Sequence, residues 1–309
     1  MLAIRLKATF IVIALFASIV AVSQPANREN FNKGWKFSLG DVKQAQEPDF
    51  NDSGWRELSL PHDWSIEGAF DEKNPATNQG GALPGGIGWY RKTFVVPASS
   101  SGKNILIEFE GVHRDSEVWL NGKSLGKRPN GYISFQYNLN PHLKFGEANV
   151  IAVRVNNSEQ PNSRWYTGCG IYRNVWLDTK DVIAVAQWGT FVTTPKVNAE
   201  SATVNIKTTV ANFKSPGASA DIRTTIYDPK GRAVGSVESK NTSFNGTYTE
   251  HTQELQISKP QLWDVENPNL YKAITTIISN NQVTDSYETT FGIRYFNFDS
   301  ATGFYLNGK

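Results

Sequence analysis

The stretch RWYTGCGIYRNVWL, residues 164–177, combines two kinds of sequence pattern. Its second half, residues 171–177, alternates with the period of a β-strand, so that Ile171, Arg173, Val175 and Leu177 are expected on one face. Its first half has no such period, and its two glycines permit left-handed backbone. The stretch therefore predicts a loop that leads into a strand.

The loop half carries side chains that suit a sugar. The rings of Trp165 and Tyr166 match the apolar C–H faces of a sugar ring, and the guanidinium of Arg164 can donate hydrogen bonds to its hydroxyl groups. The same rings would serve equally well to cover the edge of a sheet, because aromatic residues are core formers first. On these residues alone, packing and sugar binding both remain open.

The composition limits the class of protein. At 309 residues the chain is long enough for two domains, and a net charge of +2 gives no electrostatic argument for a nucleic-acid partner. A charged fraction of 19% and an aromatic fraction of 12% favour a globular, β-rich chain over disorder. Cys169 is the single cysteine, which excludes an intrachain disulfide and a cysteine-rich zinc site.

The first residues have the pattern of an export signal. Arg5 and Lys7 precede an apolar run over residues 10–22, and small residues end it at Ser23. The run is shorter than the ~18–20 residues of a membrane-spanning helix. We therefore expect a signal peptide over residues 1–23, a mature chain in the bacterial periplasm or outside the cell, and no membrane attachment after cleavage.

The remaining chain consists of short strand patterns separated by turn residues. Their spacing of ~8–12 residues predicts antiparallel β-sandwiches, a first domain over residues 25–180 and a second over residues 183–293. Within the first domain, Asn121-Gly122 predicts a type I′ hairpin turn. Glu108 and Glu110 are spaced like a glycosidase carboxylate pair, but the alternation of residues 105–112 favours a solvated strand face instead.

Several motifs carry a family resemblance. They are LPHDW (60–64), GWYRKTFVVP (88–97), VWLNGKSLG (118–126), GIYRNVWL (170–177) and LWDVENPNLY (262–271). In this order they resemble family 2 glycoside hydrolases, the group of β-galactosidases, β-glucuronidases and β-mannosidases. Within the group, the motifs are most similar to those of bacterial β-galactosidases. Within the LPHDW motif, we expect His62 to have a structural role.

The resemblance implies an all-β fold. A galactose-binding-like jelly roll would be followed by an immunoglobulin-like β-sandwich, and residues 294–309 would be the truncated lead-in to a TIM barrel. In such enzymes a retaining mechanism uses two glutamates of that barrel, which needs ~200 further residues. We therefore assign no catalytic residue in this chain and expect it to be inactive alone, with the missing barrel domain as its partner.

The resemblance also implies a rim for the sugar pocket. In the family the loop over residues 69–88 reaches toward the active site, which makes Asn78 a candidate for substrate binding beside Arg164, Trp165 and Tyr166. Arg164 stands where better-known enterobacterial members have an aspartate, which changes how sugar hydroxyl groups would be held. The expected ligand is a terminal β-galactoside or related glycan, and no cofactor or metal is expected.

Three functions follow as hypotheses. The chain is the N-terminal part of an exported β-galactosidase-like hydrolase, a stand-alone carbohydrate-binding module, or a surface adhesion or structural β-sandwich protein. The third is favoured if the glycine-rich loop over residues 69–88 and the loop at residues 164–166 fail to converge on one side of the first domain.

Overall fold

A computed structural model describes residues 27–213 and 216–309, so the predicted signal peptide lies outside the described residues. In chain order, the strands of the first part are β1 Asn27–Asn30, β2 Trp35–Leu39, β3 Arg56–Leu58, β4 Gly86–Val95, β5 Asn104–Phe109, β6 Ser116–Leu120, β7 Lys123–Arg128, β8 Phe135–Asn138, β9 Ala148–Asn157 and β10 Val175–Lys180. Single 3-10 turns lie at Asn78–Gly80 and Ala98–Ser100. Within the described ranges, no helix has the length and apolarity needed to cross a membrane.

The first part is a sandwich of two antiparallel sheets. The larger sheet has the order β3-β2-β4-β9-β6-β7, and the smaller has the order β1-β10-β5-β8. Apolar side chains of both sheets form one core, in which Trp35, Tyr90 and Phe109 are fully buried. The predicted hairpin turn is confirmed: β6 and β7 pair, and Asn121 and Gly122 both have positive φ, at 51° and 77°.

The second part is a smaller sandwich. Its strands are β11 Ile183–Val197, β12 Ser201–Asn212, β13 Ala218–Tyr227, β14 Ala233–Phe244, β15 Tyr248–Ser258, β16 Tyr271–Ser279 and β17 Gln282–Phe291. They form a sheet β11-β12-β15 and a sheet β14-β13-β16-β17 around two clusters of buried side chains. Tyr271 is buried at the start of β16, and its hydroxyl accepts from the amide of Gln261 at 2.8 Å. The predicted all-β fold, a jelly roll followed by an immunoglobulin-like sandwich, is confirmed.

A hairpin follows the second sandwich. Its strands are β18 Phe296–Asp299 and β19 Gly303–Leu306, which pair only with each other among the described strands. Phe296, Phe298 and Phe304 pack against one another yet stay 54–75% exposed. Such a compact apolar surface is typical of a region that contacts another domain or protein.

The strand predicted over residues 171–177 begins later than its alternation suggested. Ile171 lies outside β10, and its carbonyl accepts from the amide of His62 at 2.8 Å. Ile171 is buried while Arg173 is exposed, so the two side chains do not share a face. Backbone hydrogen bonds to two distant segments hold these residues: Ile171 accepts from the amide of His62 and Asn174 from the amide of Glu110. Regular pairing begins only at Val175.

The solvated face predicted for Glu108 is also wrong. Glu108 is only 4% exposed, because Arg28 on β1 bonds its carboxylate at 3.1 Å and side chains of the second sandwich stand over the same sheet face. Glu110, just beyond β5, remains half-buried. The face that a single strand pattern marks as solvent-facing is in fact a junction between the two sandwiches.

Candidate functional site

Asp63 holds the loop before β10 in place. Its Oδ1 accepts from the amides of Ser65 and Cys169, both at 2.9 Å, and its Oδ2 accepts from the hydroxyl of Tyr166. Burial and this hydrogen bond to a carboxylate raise the pKa of Tyr166, so the phenol stays protonated and remains a donor. The Asp63 carboxylate therefore links the segment that contains Ser65 to the loop that contains Tyr166 and Cys169.

The glycine-rich loop lies beside this anchored segment. The hydroxyl of Ser65 donates to the carbonyl of Pro84 and also contacts Cys169 Sγ at 3.2 Å. The indole N–H of Trp64 donates to the carbonyl of Gly85 at 3.0 Å. A Cβ on Gly85 would lie 2.7 Å from the carbonyl oxygen of Asn157, so only glycine permits this approach. The two loops therefore meet at one end of the first sandwich.

A concave surface of about 450 Å³ lies next to the anchored loop. Arg164 and Trp165 line it together with Tyr132 and His113. Trp165 is 62% exposed, and its indole N–H donates to the hydroxyl of Tyr132 at 3.4 Å. An exposed indole beside an exposed guanidinium is a platform that suits a sugar ring and its hydroxyl groups.

The four predicted binding residues fall into three positions. Arg164 and Trp165 share the concave surface, whereas Tyr166 turns toward Asp63. Asn78 begins the 3-10 turn of the neighbouring loop, where it is exposed, and it does not line the concave surface. The structure therefore brings Arg164 and Trp165 together and leaves Asn78 on the adjacent loop.

His62 is part of the core. It is 9% exposed, its Nδ1 shares a hydrogen bond with the Tyr90 hydroxyl at 2.7 Å, and its Nε2 lies 2.9 Å from a nitrogen of Arg56. Burial lowers its pKa, although the nearby carboxylate of Glu67 opposes the effect. These contacts agree with the structural role expected for His62, since both ring nitrogens are occupied.

His113 closes the inner side of the concave surface. It is 3% exposed, and burial, helped by the charge of Arg114, lowers its pKa to about 4. A Cβ on Gly131 would lie 2.0 Å from its Nδ1, so the glycine of the Asn130–Tyr132 turn is what admits the imidazole. His113 is therefore neutral at physiological pH.

The sequence missed Asp63 and Tyr132 as parts of the site. Asp63 was visible beside His62, but the two side chains point apart: the His62 ring bonds Tyr90 in the core, whereas the Asp63 carboxylate bonds Tyr166 and Cys169 in the loop. No local sequence pattern indicated that the Tyr132 hydroxyl would bond the indole of Trp165. The described residues, 27–213 and 216–309, contain no group of three or more His, Cys, Asp or Glu side chains placed to hold a metal ion.

Comparison with known families matches both sandwiches. The model described as glycosyl hydrolases family 2, sugar binding domain, matches residues 29–181, and the model described as glycosyl hydrolases family 2 matches residues 186–294. The chain belongs to glycoside hydrolase family 2. The predicted resemblance is thereby confirmed, and the anchored loop belongs to the domain that the family names for sugar binding.

The family 2 relatives of this chain include β-galactosidases and β-glucuronidases. A β-galactosidase of Bacteroides ovatus is 50% identical over 92% of this chain and 34% of that protein. A β-glucuronidase of Formosa agariphila is 35% identical over 94% of this chain and 32% of that protein. The crystal structure of a family 2 member from Bacteroides cellulosilyticus superposes with a TM-score of 0.87 at 35% identity, over 91% of this chain and 37% of that one. The chain thus spans about a third of the length of these relatives.

Proposed function

We propose that this chain forms the scaffold and the pocket rim of an exported, retaining family 2 glycosidase that acts on terminal β-galactosides. The observation that carries the proposal is the meeting of the glycine-rich loop with the Asp63-anchored loop, which presents Arg164 and Trp165 at one end of the sugar-binding domain. The 50% identity to a β-galactosidase supports the galactoside over the glucuronide. The reactive carboxylates belong to a barrel domain outside this chain.

The exposed phenylalanines of the β18–β19 hairpin support a contact with that barrel. Phe298 is the most exposed of the three, at 75%. Burying apolar surface stabilises by about 25 cal/mol per Å², so a neighbouring domain over this hairpin would gain from covering it. Export from the cytoplasm stays a proposal that rests on the pattern of residues 1–23.

A chimera tests the role of the rim. This chain would replace the matched third of the Bacteroides ovatus β-galactosidase, and Arg164→Ala would be compared with Arg223→Ala, an exposed arginine paired with Glu238 on the second sandwich. We expect Arg164→Ala to lower kcat/KM on a nitrophenyl β-galactoside about tenfold or more, about 1.4 kcal/mol of transition-state stabilisation, and Arg223→Ala to leave it unchanged. A folded chimera with equal kcat/KM for both variants would refute the rim role of Arg164.

A stand-alone binding module is the second candidate, favoured by the match to a sugar-binding domain. The concave surface lined by Arg164 and Trp165 is called the loop site below. If the barrel must close this loop site, galactosides bind there weakly or not at all in this chain. Calorimetry with lactose separates the candidates: sub-millimolar affinity that Trp165→Ala abolishes would favour the module. The convergence of the two loops speaks against a purely structural sandwich.

A further inference from the structure

A second cleft opens between the two sandwiches and has a volume of about 560 Å³. The outer face of the sheet β1-β10-β5-β8 forms one wall, and residues of β11 and β17 form the other. Neither Asn78 nor Arg164 lines it, although Tyr132 borders both this cleft and the concave surface beside Trp165. Volumes of about 300–1,000 Å³ are typical of small-molecule sites.

Trp188 enters this cleft from an irregular part of β11. Val185 pairs with Val210 and Thr190 pairs with Thr208, so residues 186–189 bulge opposite Thr209. Trp188 has a φ of 48°, and its side chain is 65% exposed. Left-handed backbone is strained for a bulky residue, and an exposed indole contributes no hydrophobic stabilisation. The backbone and the exposure of Trp188 therefore do not stabilise the fold. Such strain is characteristic of sites that bind ligands.

The charged groups of the cleft neutralise one another. Arg28 contacts Glu108 at 3.1 Å and Asp178 at 3.4 Å, and Arg173 lies 3.9 Å from Glu110. The cleft is lined by as many cationic as anionic side chains. An ionic ligand would have to break these pairs, which leaves a buried charge unpaired. The electrostatics therefore favour a neutral ligand.

Polar groups beside the indole remain able to bond a ligand. The amide nitrogen of Gln187 is buried at the cleft wall and has no hydrogen-bond partner within the described part of the chain. The carboxylate of Glu110 accepts from the indole of Trp176 at 2.8 Å and from Asn174 at 3.0 Å, which holds it as an oriented acceptor. An aromatic face flanked by an amide donor and a carboxylate acceptor matches the apolar face and hydroxyl rim of a sugar.

We propose that the cleft between the sandwiches is a second carbohydrate site, which binds a neutral oligosaccharide with one sugar ring stacked on Trp188 and its hydroxyl groups bonded to Gln187 and Glu110. The site is separate from the loop site and holds no reacting group. It would keep a polymeric glycan attached to the protein while another part of that glycan is processed, and its affinity is in the millimolar range.

The test follows the indole N–H resonance of Trp188 in the NMR spectrum of the full chain, assigned by its loss in Trp188→Ala. Galactotetraose and tetragalacturonate, both α-1,4-linked, are the probes, because they share ring configuration and linkage and differ in charge. We expect galactotetraose to shift the Trp188 resonance and tetragalacturonate to bind at least about tenfold more weakly.

Variants on β11 complete the test. Asparagine tolerates left-handed backbone, so Trp188→Asn removes the indole without changing the backbone. This variant should weaken galactotetraose binding at least about tenfold, measured from the shift of the Gln187 side-chain amide resonance. Phe191→Ala is the matched control, since Phe191 is a 64% exposed aromatic on the same strand outside the cleft.

Absence of any shift at Trp188 with galactotetraose at about 10 mM, or equal affinity in Trp188→Asn and Phe191→Ala, would overturn the proposal. Binding that is lost in Trp165→Ala and kept in Trp188→Asn would place the sugar in the loop site. That outcome would refute the second site while leaving the proposed function intact.

Discussion

At the scale of single residues, Gly170 shows why the motif before β10 needs its glycine. Its φ is 119°, and a Cβ there would lie 2.2 Å from the Tyr90 hydroxyl and 2.8 Å from the carbonyl oxygen of His62. The first neighbour is fully buried, so it has little room to move. Both the backbone and the space available therefore exclude a side chain.

We expect Gly170→Ala to lower the free energy of unfolding by about 3 kcal/mol or more, because overpacking and left-handed strain add. Urea denaturation followed by tryptophan fluorescence measures this. The control is Gly54→Ala: its Cβ would meet no atom of the described residues within 4 Å, and its effect should stay within about 0.5 kcal/mol. Similar losses for both variants would contradict the packing argument.

His113 predicts an acid-sensitive term in stability. Its pKa is about 4 in the folded chain against 6.5 when exposed, so the unfolded chain binds the extra proton between these values. Stability from this residue is therefore present above pH 6.5 and falls as the pH drops toward 4. Relative to His113→Gln, the parent should lose about 3 kcal/mol between pH 7.5 and pH 4. Parallel pH profiles in denaturant titrations would show that His113 titrates normally.

At the scale of elements, the loop before β10 depends on one carboxylate. Asp63 accepts from the amide of Cys169 through one oxygen and from the hydroxyl of Tyr166 through the other. The two bonds are independent, so they can be removed separately. Arg164 and Trp165, which we propose to line the sugar pocket, directly precede Tyr166, so this anchor holds the loop that carries them.

We expect Tyr166→Phe to cost about 1.5 kcal/mol, because one hydrogen bond to a charged group is lost, and to leave the Cys169 amide protected from hydrogen exchange. Asp63→Ala should release both contacts and expose that amide to exchange. Trp165→Phe is the matched control, since in the described part of the chain its indole N–H donates only to Tyr132. Faster exchange at Cys169 in Tyr166→Phe would contradict independent anchoring.

Local patterns predicted those elements whose cause is local. The Asn121-Gly122 turn followed from its backbone requirements, and the two sandwiches followed from strand spacing. The start of β10 did not, because Ile171 is held by the distant segment at His62 and Asn174 by the amide of Glu110. Likewise, the burial of Glu108 depends on the second sandwich, and the position of Asn78 depends on a loop without a period. Long-range contacts decide the first two, and the third lies in a loop that no periodic pattern describes.

At the scale of the whole molecule, buried charges at the end of β10 connect the two sandwiches. Lys180 donates to the carbonyl of Val185 at 2.7 Å and lies 3.8 Å from the carboxylate of Asp285 on β17. Asp285 also accepts from the amide of Val185 at 2.7 Å, while burial raises its pKa. Breaking one partner of such a buried pair is costly, so the junction fixes one sandwich against the other.

The carboxylates of the cleft at this junction are engaged in structure. Arg28 bridges Glu108 and Asp178, and Glu110 is held by Trp176 and Asn174. Although desolvation opposes it, hydrogen bonding keeps the pKa of Glu110 below its usual value. A general acid in a glycosidase needs the opposite shift. Glu110 is therefore poorly suited to protonate a leaving group.

Hydrolysis of nitrophenyl β-galactoside by the purified full chain is the decisive measurement. We propose that this chain supplies the scaffold and rim of a sugar pocket and that the reactive carboxylates belong to another domain. We therefore predict no turnover above the uncatalysed rate, and no difference between the parent and Glu110→Gln. Turnover by the parent that Glu110→Gln abolishes would contradict this proposal.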